Sequence, residues 1–406
     1  MNIQTLENHK NRMPIFDTDE NGRKIDAYLL EDVFVASDTS IYPGIILGSG
    51  DNLYNPYFEK VMSLGDYSEQ PIEISTEVRL ISTFEEPVFY FVYNSDNYYH
   101  FVYDTLPYLI TYKQLKKENL VEKILVSFPG SRDFYPFFWE FLKILEIEKE
   151  NLVSLDRGIL YKKIYISDSY THGHNSNLPP RQEIFKLYEQ IKNVVSNLVD
   201  INSYPKKIYI SRRSWIHGDY SNIGTNYTQR RKLIIEDELV KFLESEGFTE
   251  VFTEKLSTND KIGMMMGSEM VIGAIGGGLC NLLFANSECK SICICSPHFL
   301  SINSRFIFSF SGGTTNYFLN SLNTESNIWK RYMRIKWGNR IGEIKEVQKK
   351  YLVVNFSKSP ISGWNNDDTF EEIKVLKEDA TPLDEGLNSE WSFDLEDFIK
   401  FYNNLI

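Results

Sequence analysis

His100 and Asp104 stand four residues apart in the stretch NYYHFVYDTLP. On a helix that spacing brings both side chains onto one face. A histidine held by a carboxylate is a common acid–base pair, and either member can take a proton from an incoming hydroxyl. The same spacing also suits a local hydrogen bond that fixes the helix to its sheet. A second group is cationic: Ser211-Arg212-Arg213 and Arg230-Arg231-Lys232 collect cations in a chain whose formal net charge is −13. A guanidinium fork matches two phosphate oxygens at once. Glu236, Asp237 and Glu238 follow; the helix dipole alone accounts for three carboxylates there, and Glu236 could also accept a ribose hydroxyl. A third group is Gly276-Gly277-Gly278, entered from the apolar run Met270–Ile275 and left through Leu279, Leu282 and Leu283 at helical spacing. A strand, a bare turn and a helix start leave uncovered N–H groups at the positive end of a dipole, which is an anion cradle. The run is neither a complete G-x-G-x-x-G nor a Walker sequence, and glycines between strand and helix also serve close packing.

Other combinations carry less. Asp17-Thr18-Asp19 has the D-x-D form of metal-dependent sugar-nucleotide enzymes, but no strand precedes it, so it reads as a solvated loop. His172-Gly173-His174 lacks a third ligand nearby and reads as surface. Cys280, Cys289, Cys293 and Cys295 have no second pair at zinc spacing and read as buried thiols. No G-x-S-x-G elbow is present.

The elements that must position these groups alternate between strand and helix. Val88–Tyr93 alternates as a strand, and residues 97–116 read as a helix with Pro107 inside it. Ile124–Ser127 is a buried strand, Tyr135–Leu145 an aromatic-rich helix, and Lys163–Ser167 a strand. Pro179-Pro180 opens a helix to about Leu198, and Ile201–Lys206 is read as a linker. A second series runs from strand Lys207–Ser211 through helix Glu236–Glu246, strand Val251–Thr253 and helix Thr258–Gly267 to the strand before the glycines. Alternation of this kind implies parallel sheets, so the expected fold class is α/β with two Rossmann-like domains facing a central cleft. The expected bounds are 1–200 and 207–390, with 391–406 as a terminal helix packing back on the N-terminal domain. Between Pro297 and that helix only Tyr351–Phe356 reads as a strand.

At 406 residues the chain is long enough for two cores, and 42% hydrophobic residues with 14% aromatics mark it as globular. The acidic balance argues against a general nucleic-acid binder. Residues 264–285 are interrupted by Ser268 and Glu269 and are too short in their apolar part to span a bilayer. The polar N-terminus has no apolar core of the kind a signal peptide needs. The expected location is cytoplasmic, with peripheral contact at the inner membrane face compatible with it.

His100-Phe101 with Asp104, Leu106 and Pro107, then Ile210-Ser211-Arg212-Arg213, then Arg231 with Leu233, Ile234, Glu236 and Asp237, then Gly273–Asn281 with Leu283-Phe284-Ala285 resemble the ordered motifs of glycosyltransferase family 61. The resemblance spans roughly residues 90 to 300, and Trp391-Ser392-Phe393-Asp394 resembles the family's ending. It implies a GT-B fold, anomeric inversion, and a nucleotide-sugar donor, UDP-linked or otherwise, held mainly by the C-terminal domain. It implies no separate cofactor, and a glycan or lipid-linked oligosaccharide acceptor. On that reading Asp104 or His100 takes the proton, without an essential metal. Arg212 and the amides of Gly276, Gly277 and Gly278 meet the diphosphate, Glu236 the ribose, and Ser211, Arg231 and Asn281 stand in the matching motifs. Two positions depart: Ile275 replaces a usual histidine, and Tyr108 replaces an arginine that often follows Leu-Pro. The rival expectation is a non-catalytic nucleotide- or carbohydrate-binding protein on the same scaffold; a nicotinamide-dependent oxidoreductase is disfavoured by the missing fingerprint.

Overall fold

The computed structural model describes residues 2–4, 9–38, 45–49, 52–54, 80–91, 95, 97–128, 133–171, 179–213, 232–296, 314–319, 329–331, 333–338, 340–357, 370–384 and 390–406. The chain divides into two compact units, Met1–Val194 and Val195–Ile406. Arg230, Arg231, His172 and His174 lie outside the described residues.

Among the described residues the first unit holds ten strands in one mixed sheet: β1 (Asn2–Gln4), β2 (Arg12–Phe16), β3 (Ile25–Asp38), β4 (Ile45–Ser49), β5 (Asn52–Tyr54), β6 (Ser82–Phe84), β7 (Val88–Tyr90), β8 (Lys123–Val126), β9 (Leu152–Ser154) and β10 (Ile159–Ser167). The main path runs β1-β5-β4-β3-β10-β7-β8-β9. Strands β10, β7, β8 and β9 are mutually parallel, and β7 and β8 are buried nearly throughout, as strands covered on both faces must be. The other half departs from the Rossmann-like expectation, because the 14-residue β3 runs antiparallel to β10 and carries β2 and β4 antiparallel to itself. Helical segments are α1 (Tyr98–His100), α2 (Tyr108–Lys117), α3 (Pro136–Ile144) and α4 (Gln182–Val195).

The second unit begins with a five-stranded parallel sheet of β11 (Lys207–Ile210), β12 (Thr249–Val251), β13 (Met270–Ala274), β14 (Lys290–Ile294) and β15 (Thr314–Phe318), in the order β12-β11-β13-β14-β15. Helices α5 (Glu236–Ser245) and α6 (Thr258–Gly267) alternate with its strands. This is a doubly wound order in which the chain first steps to one side of β11 and then returns to the other, so a crevice opens where β11 and β13 end.

Within the second unit, beyond the parallel sheet, lies a separate antiparallel sheet of β16 (Arg334–Trp337), β17 (Arg340–Val347), β18 (Tyr351–Ser357), β19 (Phe370–Leu376) and β20 (Thr381–Asp384), of which the Rossmann-like expectation over 207–390 took no account. It has its own core, formed by Met333, Ile335, Ile344, Leu352, Val354, Phe356 and Val375. The terminal helix α7 (Leu395–Asn403) is corrected as well. Its Phe398 and Tyr402, with Trp391 and Phe393, share one core with Tyr209, Leu243 and Ile272 of the second unit's parallel sheet and its helix. Its apolar face is therefore spent on the C-terminal unit rather than returned to the N-terminal one. A hydrogen bond from the Ile234 amide to the Trp391 carbonyl fastens the same junction.

Candidate functional site

In the first unit, β10 lies on one side of β7 and β8 on the other, which makes the carboxyl ends of β7 and β10 a topological switch point. His100 and Asp104 follow β7, and Thr171 follows β10. The expected continuous helix over 97–116 is interrupted: α1 gives way to a π-turn at Phe101–Thr105, and α2 resumes after Pro107. Proline has no N–H to offer the carbonyl four residues back, and the Leu106 amide reaches the Phe101 carbonyl instead of that of Val102. The Val102 carbonyl takes the hydroxyl of Tyr188 on α4 at 2.9 Å. Phe101 is fully buried among Phe91, Phe137, Phe138 and Phe141, which pins this turn to α3.

Asp104 is fully buried. Its Oδ2 lies 2.7 Å from His100 Nδ1, and its Oδ1 accepts the Thr171 hydroxyl at 2.7 Å. His100 keeps 26% of its side chain exposed and meets Tyr99 edge to face. With Nδ1–H donated to the carboxylate, the lone pair of the neutral ring sits on Nε2. The imidazole can then work as a base toward solvent, while the carboxylate fixes its tautomer. Beneath lies a polar layer: Thr111 bonds both Ser167 and Tyr170, and Asp168 accepts the Asp26 amide at 2.7 Å and the Tyr28 hydroxyl at 2.8 Å. Burial pushes the Asp168 carboxyl up to about 7.

In the second unit the switch point brings together the ends of β11 and β13. Ser211 and Arg212 leave β11, and Ile275 and Gly276 leave β13. The backbone of Gly276 is extended, at φ 170°, so left-handed geometry is not what requires glycine there. Space is: an added Cβ would collide with Arg212 Nη1. The guanidinium therefore lies directly against the bare turn. A 3₁₀ helix, Gly277–Phe284, starts at that point, with Gly277 and Gly278 partly exposed in its first turn, where amides have no helical carbonyl to bond. Burial pulls the Arg212 pKa down, while Glu236, Tyr209 and Glu254 act the other way.

The two arginines separate cleanly. Arg213 forks onto Glu250 at 2.6 and 2.8 Å and reaches Asp237 at 2.6 Å, so it is committed to structure. Glu236 is buried, and its Oε1 accepts the Tyr209 hydroxyl at 2.9 Å, the Arg212 amide at 2.8 Å and the Ser211 hydroxyl at 3.3 Å. Burial raises its pKa, and these donors oppose the rise. Glu236 thus clamps the Ser211-Arg212 corner. Asn281 is fully buried and donates to the Gly278 carbonyl at 2.8 Å, holding the glycine turn from below. Ile275 is buried, with its amide on the Ile294 carbonyl.

Sequence reasoning missed Thr171, Tyr188, Tyr209 and the Thr253–Glu254 turn. Thr171 and Thr253 each lie just past a strand's carboxyl end, the one signal that would have singled them out. The D-x-D segment is a local turn, in which Asp19 accepts the Asn21 and Arg23 amides. All four cysteines are buried free thiols, with Cys293 and Cys295 sulfurs 3.6 Å apart. Among the described residues there is no cluster of three or more potential metal ligands, and no helix long and apolar enough to cross a membrane.

Parallel strands alternating with helices, with polar side chains at the strands' carboxyl ends, define an α/β protein. Residues 98–292 match the model of glycosyltransferase family 61, so the resemblance carried by the motifs holds over that region. The match begins at α1 and ends within β14, and takes in His100, Asp104, Arg212 and the Gly276 turn. No curated protein matches the chain.

Proposed function

We propose that the protein is an inverting glycosyltransferase that moves a sugar from a nucleotide-diphosphate donor to a hydroxyl of a glycan acceptor without an essential metal, in surface polysaccharide assembly. The observation that carries this reading is Arg212 lying against the bare Gly276 turn at the β11/β13 switch point, within the family-matched region. There the guanidinium and the Gly277 and Gly278 amides meet the diphosphate. The acceptor oxygen attacks the anomeric carbon, the carbon–oxygen bond to the diphosphate breaks, and the nucleoside diphosphate leaves with the bonding electrons. Donors already in place where that charge develops are worth about 3 kcal/mol each.

The proton released by the acceptor goes to His100 of the first unit. Asp104 is enclosed and bonded through both oxygens, so its role is to hold the imidazole, with Thr171 holding Asp104 in turn. Glu236 and Asn281 keep the second unit's corner and turn in shape. Ser211 supports that corner with them, and Arg231 belongs to the same cationic segment. This division of labour is the one the GT-B expectation calls for, with one α/β unit for the donor and the other for the acceptor.

The test is incubation of the purified chain with a panel of nucleotide sugars, with and without glycan acceptors, followed by assay of free nucleoside diphosphate. Release from one donor, accelerated by an acceptor, supports the transferase. Tight binding without release under any acceptor supports the non-catalytic binder, which Ile275 favours by standing buried where the resemblance calls for histidine.

A further inference from the structure

The ends of three strands, not two, converge on the glycine turn. A Cβ built on Gly278 would come within 2.9 Å of Ile210 Cγ2 at the end of β11 and 3.0 Å of Thr253 Oγ1 beyond the end of β12. Thr253 opens a short 3₁₀ turn, Thr253–Lys255, that carries Glu254. Strand β12 is parallel to β11 and lies on the side away from β13, so Glu254 extends the Arg212–Gly276 site sideways along the carboxyl edge of the sheet. Its charge acts on Arg212. One carboxylate oxygen, Oε1, is covered from solvent and has no hydrogen-bond partner among the described residues.

A covered carboxylate oxygen is stable only if something donates to it. Glu236 also has one covered oxygen without a partner, Oε2, but the residue is buried and its Oε1 is held by Tyr209, Ser211 and the Arg212 amide, so it is committed to the corner beneath the site rather than presented to a ligand. Glu254 has no such engagement. The ligand group that suits it is a neutral hydroxyl, because a second anion there would be repelled and Arg212 already balances the charge. In a doubly wound sheet, a nucleotide whose phosphates sit at the switch point extends its nucleoside over the neighbouring strand.

We infer that Glu254, rather than Glu236, accepts a ribose hydroxyl of the bound nucleoside diphosphate. This rests on the donor reading of the site. The carboxylate selects ribonucleotide over deoxyribonucleotide donors, while Arg212 and the glycine amides bind the diphosphate without regard to the sugar.

The experiment is calorimetric titration of the full chain with UDP, ADP, CDP and GDP and with the 2′-deoxy and 3′-deoxy forms of whichever binds. Wild type is expected to bind at least one deoxy form about tenfold more weakly than the ribo form, the scale of one hydrogen bond to a charged group. Glu254→Ala is expected to bind ribo and deoxy forms alike. Glu254→Gln, which keeps the shape, is expected to fall between, and it decides the matter if the alanine variant does not fold. An unchanged ribo-to-deoxy ratio in both variants would overturn the assignment to Glu254 and leave the donor site standing. Failure of every nucleoside diphosphate to bind wild type would overturn the donor reading and this inference together.

Discussion

At the scale of single residues, burial and bonding separate side chains that look equivalent in the chain. Arg212 and Arg213 are neighbours, yet one lies against a bare turn and the other is locked to Glu250 and Asp237. His100 and Asp104 could each have been the proton acceptor from their spacing. On the proposed reading, full enclosure of Asp104 and two short bonds to it assign the task to the imidazole. His100→Ala is therefore expected to lower kcat about 10²- to 10⁴-fold, the usual share of a general base, with donor affinity retained. Asp104→Asn is expected to lower kcat as well, by releasing the tautomer. Steady-state kinetics with both variants checks this, and full activity in His100→Ala alongside an inactive Asp104→Asn would return the role to the carboxylate. The pairing of these residues was legible in the sequence because helical spacing is a local property. The partners Thr171, Tyr188 and Tyr209 were not, since they arrive from elements between 27 and 86 positions away.

At the scale of elements, β11 and β13 of the second unit were readable because they are short, branched and buried on both faces, whereas β12 lies two residues before its expected place and β15 was not foreseen. β13 is buried at all five positions. The helix Thr258–Gly267 matches its expected bounds, with Ser257 capping it by accepting the Asp260 amide. Of the antiparallel sheet of residues 334–384 only β18 was read, and the rest escaped for a physical reason: β17 and β18 shift register between Ile344 and Glu346, and β16 and β20 between Arg334 and Ile335. Each bulge resets the alternation of faces, so a period of two does not persist long enough to be seen. The π-turn at Phe101–Thr105 hid in the same way inside an otherwise helical pattern. The terminal helix was foreseen but its docking face was not, because amphipathicity says that a helix packs without saying where. Asp394 caps α7 by accepting the Glu396 and Asp397 amides. Asp394→Ala is expected to cost about 1 kcal/mol, read as a lowered denaturation midpoint.

At the scale of the whole molecule, the two units place their polar groups by one rule, at strand ends where the winding direction reverses. The polar layer under the first of these sites makes stability depend on pH. Asp168 is held up to about 7, chiefly by burial, against an ordinary value of 3.8. Between those values the folded chain binds more protons at this group than the unfolded chain does, so its contribution to stability falls as pH rises through that window. Denaturant unfolding from pH 4 to 7 is expected to show that decline, flattened in Asp168→Asn. A slope unchanged by the substitution would assign it to other groups.

The central claim is that the β11/β13 crossover grips a diphosphate through Arg212 and the glycine turn. Titration of the nucleoside diphosphate released by the preferred donor into wild type, Arg212→Ala and Arg213→Ala measures that grip directly. The account predicts a loss of about tenfold or more in affinity for Arg212→Ala, the scale of a charge-assisted hydrogen bond, and near wild-type binding for Arg213→Ala once its folded fraction is allowed for. Equal affinity in wild type and folded Arg212→Ala would contradict it.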